Sequence, residues 1–315
     1  MAVIEARGLG KSYGTRRAVD DLSFTVRPGS VTGFLGPNGS GKSTTMRLML
    51  GLDRGEGRTT FDGRTFTELD QPMRHVGALL EAKPFHPTRQ ARRHLQMLAV
   101  ANRIERRRVD EVLELVGLAS VAKGKPRKFS LGMGQRLGIA AALLGDPHTL
   151  VLDEPSNGLD PQGITWLRQL LRHLAGEGRS VFVSSHLLQE MALLADELVV
   201  VGRGRLLANG PVADFVEHGG TSQVVLRTPD LGVLAPVIVA AGGSLTPEPD
   251  GAQVVAGLDA VRIGDLAHEH GARVHELTTR RATLEEAFLA ATGLDEEYRG
   301  ALGGPPGDDR PGEGR

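Results

Sequence analysis

An α/β fold built around a mostly parallel sheet is predicted by three features of the chain. Short apolar runs of strand type, Val31-Thr32-Gly33-Phe34-Leu35, Thr149-Leu150-Val151-Leu152 and Val181-Phe182-Val183, alternate with segments whose apolar residues recur at helical spacing. A glycine-rich turn joins the first of these strands to a helix. Beyond about residue 220 the order becomes strand, helix, strand, strand, helix, strand (βαββαβ), as in a ferredoxin-like split unit.

The elements follow in turn. Residues 1 to about 28 read as short strands and turns, including Val3 to Ala6 and Leu22 to Val26 before Pro28-Gly29. Thr44 to Gly51 reads as a helix closing on a glycine. Between Arg89 and Gly117 the spacing of Leu95, Leu98 and Ala99, then Val109, Val112, Leu113 and Val116, is helical. Asp160-Pro161 supplies an N-cap and a first-turn proline to a helix with Ile164, Leu167, Leu171 and Leu174 on its buried stripe. Glu197 to Val201 reads as a further buried strand.

Gly219-Gly220 then separates a first domain, residues 1–218, from an accessory domain, residues 219–293. In the latter, Gln223 to Arg227, Ser244 to Thr246, Gln253 to Ala256 and Arg273 to Leu277 read as strands, and Leu231 to Ala241 and Val261 to His270 as helices. Leu284 to Ala291 reads as a final helix, and residues 294–315, rich in Gly, Pro and charge, as a disordered tail.

Composition narrows the function classes. With 315 residues, 40% apolar and 24% charged, the chain has core material for a large domain and a smaller one. Lys+Arg number 37 against Asp+Glu 38, a balance that gives no general pull toward nucleic acid or anionic lipid. The one basic cluster, Arg103, Arg106, Arg107 and Arg108, reads as the solvated start of a helix. The absence of cysteine removes disulfides, thiolate catalysis and cysteine metal sites. No secretory pattern opens the chain, and no apolar run approaches the ~18 to 20 residues that span a bilayer. A membrane process would need its membrane part from another chain. His268, His270 and His275 are spread over a helix and a strand without further ligands, so they read as surface histidines.

Gly36-Pro37-Asn38-Gly39-Ser40-Gly41-Lys42-Ser43 fits the phosphate-loop pattern G-x-x-x-x-G-K-[ST], followed by Thr44, in the strand-loop-helix context the pattern requires. The glycines let main-chain N–H groups converge on phosphate oxygens, and the following helix offers its positive end to the same anion. Lys42 would reach the β and γ phosphates, and the Ser43 hydroxyl would ligate Mg²⁺. The apolar strand before Asp153 and Glu154 completes the expectation: Asp153 as a metal carboxylate, Glu154 as base or orienter of the attacking water. Ser184-Ser185-His186 ends the next strand, which puts His186 at the same rim.

With these residues assembled, residues 1–218 resemble the nucleotide-binding subunit of ABC transporters. The resemblance implies a P-loop NTPase (RecA-like) cassette with a helical subdomain at about 84–145, using ATP and Mg²⁺. Tyr13 lies where the family stacks an aromatic on adenine. Phe129-Ser130-Leu131-Gly132-Met133-Gly134-Gln135-Arg136 aligns with the family signature LSGGQ-x-Q-R, with Leu131 and Met133 departing from it. Ser156 to Asp160 looks like the loop that crosses the dimer, and His186 like the switch histidine. Ser130 and the Gly132 backbone would then serve a γ-phosphate held by a second copy, so that two cassettes sandwich ATP in a two-fold dimer.

Glu81 occupies a position where the family normally has Gln, a Mg²⁺-sensing loop that touches the membrane partner. A carboxylate there can still ligate Mg²⁺ while adding negative charge beside the phosphates. The SLGM form of the signature and the ending Leu284 to Leu289 are similar to the antibiotic and drug exporter branch, the bacitracin- and daunorubicin-type group. The resemblance thus implies an ATPase peripheral to the inner face of the cell membrane. It would drive export of a drug, antibiotic or lipid-like substrate through a separate permease, with no nucleic-acid partner. The alternatives are a non-transport ATPase of the same class and a ligand-responsive regulator. The single cassette, lack of Cys and lack of extended heptads fit the first poorly.

Overall fold

The computed structural model describes residues 3–81, 85–218 and 223–280. The chain divides into two compact units, Met1–Pro211 and Val212–Arg315. In the first, the elements run β1 (Ile4–Tyr13), β2 (Arg16–Val26), β3 (Val31–Leu35), α1 (Lys42–Met49), β4 (Glu56–Phe61), β5 (Val76–Leu79), α2 (Ala91–Ala101) and α3 (Arg107–Leu115). They continue with α4 (Leu131–Leu143), β6 (Thr149–Leu152), α5 (Pro161–Gly176), β7 (Ser180–Ser185), α6 (Leu188–Leu194), β8 (Glu197–Gly202) and β9 (Arg205–Pro211).

The central sheet has the order β5-β6-β7-β3-β8-β9, parallel except for β9, which runs against β8. Every residue of β3, β6 and β7 is buried, the pattern of strands covered on both faces, which is why they read as unbroken apolar runs. A second, antiparallel sheet has the order β2-β1-β4. Phe24 of β2 joins the two sheets: its ring lies 5.7 Å from that of Phe34 on β3 and 5.2 Å from that of Phe182 on β7. All three rings are buried, and truncating any one of them would cost about 3–5 kcal/mol.

Helix starts follow side-chain chemistry where the sequence supplies it. Ser130 and Asp160 cap α4 and α5 by accepting the main-chain N–H of Met133 and Gly163. Helix α1 begins at Lys42, two residues ahead of the sequence expectation, because Gly41 turns the chain at φ 103° and acts as its N-cap. Two of the four arginines of the basic cluster are paired locally: Arg107 with Glu105, and Arg108 with Glu111 and Asp146. Three strands had no counterpart in the sequence reading, namely β4, β5 and β9.

The second unit comprises α7 (Val212–His218), β10 (Gln223–Arg227), α8 (Leu231–Ala240), β11 (Ser244–Pro247), β12 (Gln253–Ala256), α9 (Ala260–Glu269) and β13 (Glu276–Arg280). Helix α7 thus falls with this unit, whereas composition placed the boundary after residue 218. From β10 onward the element order is the expected βαββαβ, and the sheet order is β11-β12-β10-β13 with every neighbour antiparallel. Val224, Leu226, Leu234, Ile238, Val255 and Ile263 fill its core. Strand β13 starts at Glu276 rather than Arg273, because Asp230 takes both the main-chain N–H and the guanidinium of Arg273 before pairing with β10 begins. The expected helix at 284–291 and the tail lie outside the described residues.

Candidate active site

The loop between β3 and α1 builds its curvature from glycines. Gly39 and Gly41 take φ of 80° and 103°, conformations that L side chains rarely adopt. At Gly36 space is the reason instead: a Cβ there would meet the Val201 carbonyl oxygen at 2.4 Å. Asn38, Gly39 and Ser43 are exposed, Pro37 and Thr44 half-buried. Ser40 faces inward, with its hydroxyl buried under the loop and its main-chain N–H given to the Pro37 carbonyl at 3.2 Å.

Lys42 is only 6% exposed. Its Nζ donates to the carbonyls of Gly36 (2.6 Å) and Pro37 (3.2 Å) and stands 3.6 Å from Glu154 Oε1. Burial pushes its pKa down from the usual lysine value, against the opposing pull of Glu154 and Asp153.

The acidic pair is held main chain and side chain alike. Strand β6 is buried throughout, and the Asp153 N–H donates to the Leu79 carbonyl of β5 at 2.7 Å. The Ser184 hydroxyl, at the end of β7, donates to Asp153 Oδ1 and accepts the Glu154 N–H at 2.9 Å. Glu154 itself has φ 46°, an uncommon conformation for a residue other than glycine. Its Oε2 lies 2.9 Å from His186 Nδ1. An ionised carboxylate can only accept, so Nδ1 carries the proton in this contact. One carboxylate therefore bridges the phosphate-loop lysine and the rim histidine.

Lys42 and Glu154 open onto a cleft of about 410 Å³ with the phosphate loop as its floor and Tyr13 and Arg16 on its walls. Tyr13 is 52% exposed; its hydroxyl donates to Asp53 at 3.2 Å, and Lys11 Nζ lies 5.0 Å from the ring centroid. Arg16 was not picked out from the sequence, because a lone arginine at a strand start carries no pattern. Asp153, His186 and Glu81 do not line this cleft; His186 reaches it only through Glu154. Glu81 is exposed just past β5 and makes no hydrogen bond or ion pair among the described residues, although its charge acts on Arg47.

The signature lies away from the cleft of its own chain. Ser130 Oγ accepts the Met133 N–H at 3.1 Å, which leaves its O–H free to donate elsewhere. Leu131, 46% exposed, packs on Gly158, and a Cβ on Gly132 would come within 2.9 Å of the Gly158 carbonyl oxygen. Asp160 is the N-cap of α5, its Oδ1 2.8 Å from the Gly163 N–H. Arg136 donates to the Val116 carbonyl at 3.1 Å and stacks over Trp166, 4.2 Å from the ring centroid. One chain thus brings together Lys42, Ser43, Thr44, Glu154, His186 and Tyr13, and keeps Ser130, Gly132 and Asp160 apart from them. No group of three or more histidine, aspartate or glutamate side chains that could hold a metal ion occurs among the described residues.

Comparison with known proteins bears on this arrangement. Residues 19–157 match the family described as ABC transporter, and residues 222–285 match a domain family of unknown function. An uncharacterised ABC transporter ATP-binding protein of Bacillus subtilis, YhcH, is 36% identical over 94% of this chain and 97% of its own length. The bacitracin transport ATP-binding protein BcrA of Bacillus licheniformis is 42% identical over 66% of the chain and 70% of its own. The daunorubicin resistance ATP-binding protein DrrA3 of Streptomyces coeruleorubidus is 33% identical over 95% and 98%. Among solved structures, an ATP-binding subunit of an ABC transporter superposes with a TM-score of 0.63 at 26% identity, over 69% of this chain and 92% of that one. The chain belongs to the ATP-binding proteins of the ABC transporter family, among relatives of the antibiotic- and drug-transport type.

Proposed function

We propose that the chain hydrolyses MgATP at the seam of a two-fold dimer and so drives export of a drug, antibiotic or lipid-like compound. The compound would pass through a separate permease, with the chain at the inner face of the membrane. The observation that carries this reading is the Glu154 carboxylate, poised between Lys42 at 3.6 Å and His186 at 2.9 Å at the edge of the phosphate loop. A triphosphate seated on residues 36–44 would meet the loop amides and the Lys42 ammonium, with adenine against Tyr13. The γ-phosphate would then lie near Glu154, which orients the attacking water, and near His186.

The donor set fits a hard divalent cation: an exposed Ser43 hydroxyl and an Asp153 carboxylate fixed by Ser184, with Glu81 as a further oxygen ligand. Mg²⁺ held there would draw charge from the phosphate oxygens. The separation of Ser130 and Gly132 from their own cleft supports a signature that serves the nucleotide of a second copy, with Asp160 in the loop between them. No helix among the described residues is long and apolar enough to cross a membrane, which supports a separate permease. The named transport and resistance relatives support the export of drug-type cargo.

The test uses three variants. Glu154→Gln should bind MgATP and accumulate as an ATP-bound dimer in size exclusion. Lys42→Ala should lose nucleotide affinity or turnover, and Ser130→Arg should keep binding by isolated chains while losing phosphate release. A monomeric, fully active Glu154→Gln protein, or normal hydrolysis by Lys42→Ala, would overturn the reading.

A further inference from the structure

We propose that Gln135 is a positioning residue for Glu154, so that the helix carrying the signature sets the carboxylate of its own chain. Gln135 lies in the second turn of α4 and is 1% exposed. Its Nε2 donates to the Glu154 carbonyl at 3.2 Å. That carbonyl can only accept, which assigns the amide orientation and leaves Oε1 buried without a partner among the described residues. A half-satisfied buried amide weakens a fold, and an apolar side chain of the same length would fill the space at less cost. Stability therefore does not explain glutamine here; what it holds does.

What it holds is a backbone that would otherwise relax. Glu154 sits at φ 46°, sparsely populated by residues other than glycine. The peptide plane before its Cα is anchored through its N–H to Ser184 Oγ at 2.9 Å, and the plane after it through its carbonyl, which accepts the Gln135 amide at 3.2 Å and the Asn157 N–H at 3.1 Å. Together the three bonds fix both dihedrals, and with them the aim of the carboxylate at Lys42 and His186. Without Gln135 the second plane rests on the Asn157 bond alone, one turn contact in an exposed loop, and loses its tie to α4.

The link has a direction. Ser130 caps the start of α4, Leu131 packs on Gly158, and Gln135 rides on the same rigid helix one turn further on. This step rests on the ATP-sandwich reading proposed above: the signature of one chain meets the nucleotide of its partner, while Glu154 serves the nucleotide on its own loop. Gln135 then joins the two nucleotides of a dimer through a single chain. Engagement of α4 at one site is felt as the orientation of Glu154 at the other.

Gln135→Met keeps the length and removes the donor. Full-length Gln135→Met should lose about fivefold in kcat while KM and MgATP affinity stay within about twofold, the split that marks an interaction made in the transition state. Its Tm should hold or rise, which a structural loss of the residue would not allow. Combined with Glu154→Gln, the same substitution should cost less than about twofold in single-turnover phosphate release, because the group through which it acts is already altered. An undiminished fivefold loss in the Glu154→Gln background, a parallel rise in KM, or a kcat within twofold of wild type would each overturn the proposal. If Glu154→Gln forms no ATP-bound dimer, the sandwich reading fails instead, and the two rate ratios, in wild type and in the Glu154→Gln background, still decide whether Gln135 acts through Glu154.

Discussion

Replacing Ser184 by alanine removes one oxygen atom from the fold's centre and tests how the acidic pair is held. The residue is fully buried, and its hydroxyl both donates to the Asp153 carboxylate and accepts the Glu154 N–H at 2.9 Å. Alanine deletes a hydrogen bond to a charged group, worth about 1.5–3 kcal/mol, and leaves an amide without its acceptor, costing about 1–3 kcal/mol when buried. The site is partly open at Glu154, whose side chain is 19% exposed, so water softens both figures and the lower ends apply. The expected loss is about 2.5 kcal/mol. For a unit of this size each kcal/mol shifts Tm by about 2–4 °C, so the transition of the first unit should fall by about 5–10 °C. Turnover should fall by at least about tenfold, the equivalent of ~1.4 kcal/mol, because neither carboxylate keeps its aim. Calorimetry beside a phosphate-release assay at saturating MgATP measures both. A Tm within about 1 °C of wild type together with unchanged kcat would refute the reasoning.

Two further outcomes are expected. Gly41→Ala puts a Cβ 2.4 Å from the Ala18 carbonyl oxygen at φ 103°. It should weaken MgATP binding by at least about tenfold in equilibrium titration, whereas Gly176→Ala, with nothing within 4 Å of its Cβ, should leave binding unchanged. In the second unit, the Arg273 guanidinium and main-chain N–H hold the Asp230 carboxyl well below the usual carboxylate range. A depressed folded-state pKa stabilises above the unfolded value of about 3.9 and stops doing so as pH falls through the folded value. Asp230→Asn should therefore lower the Tm of that unit at pH 7, and the gap from wild type should close progressively below about pH 4 in a calorimetric pH series. A gap independent of pH would mean that packing, not charge, is responsible.

The parts of this protein that could be read from its residues share a physical cause. Strands β3, β6 and β7 are buried on both faces, so their sequences are unbroken apolar runs; the phosphate loop needs glycines for φ and space, so its residues are constrained one by one. Strand β9 is the opposite case: it lies at the sheet edge with no residue fully buried, so Arg205 to Pro211 carries no alternation. Strand β4, Glu56-Gly57-Arg58-Thr59-Thr60-Phe61, pairs with β1 through a register shift and buries only Thr59 and Phe61. The contacts that Ser184 and Gln135 make, and Arg16 altogether, went unrecognised for a related reason. A serine in a strand, a glutamine in a helix and an arginine at a strand start are ordinary in one dimension. Their meaning comes from Asp153, Glu154 and the phosphate loop, which reach them only after folding.

The lone indole of the molecule has a use beyond packing. Trp166 stands against the Arg136 guanidinium at 4.2 Å, on the helix that Asp160 starts, and Arg136 belongs to the signature helix. A cation close to the ring face perturbs the emission of an indole, and no second tryptophan contributes background light. Any shift of one helix against the other during a catalytic cycle therefore alters the intrinsic fluorescence of the unlabelled protein. Stopped-flow mixing with nucleotide could follow that motion in real time without a dye.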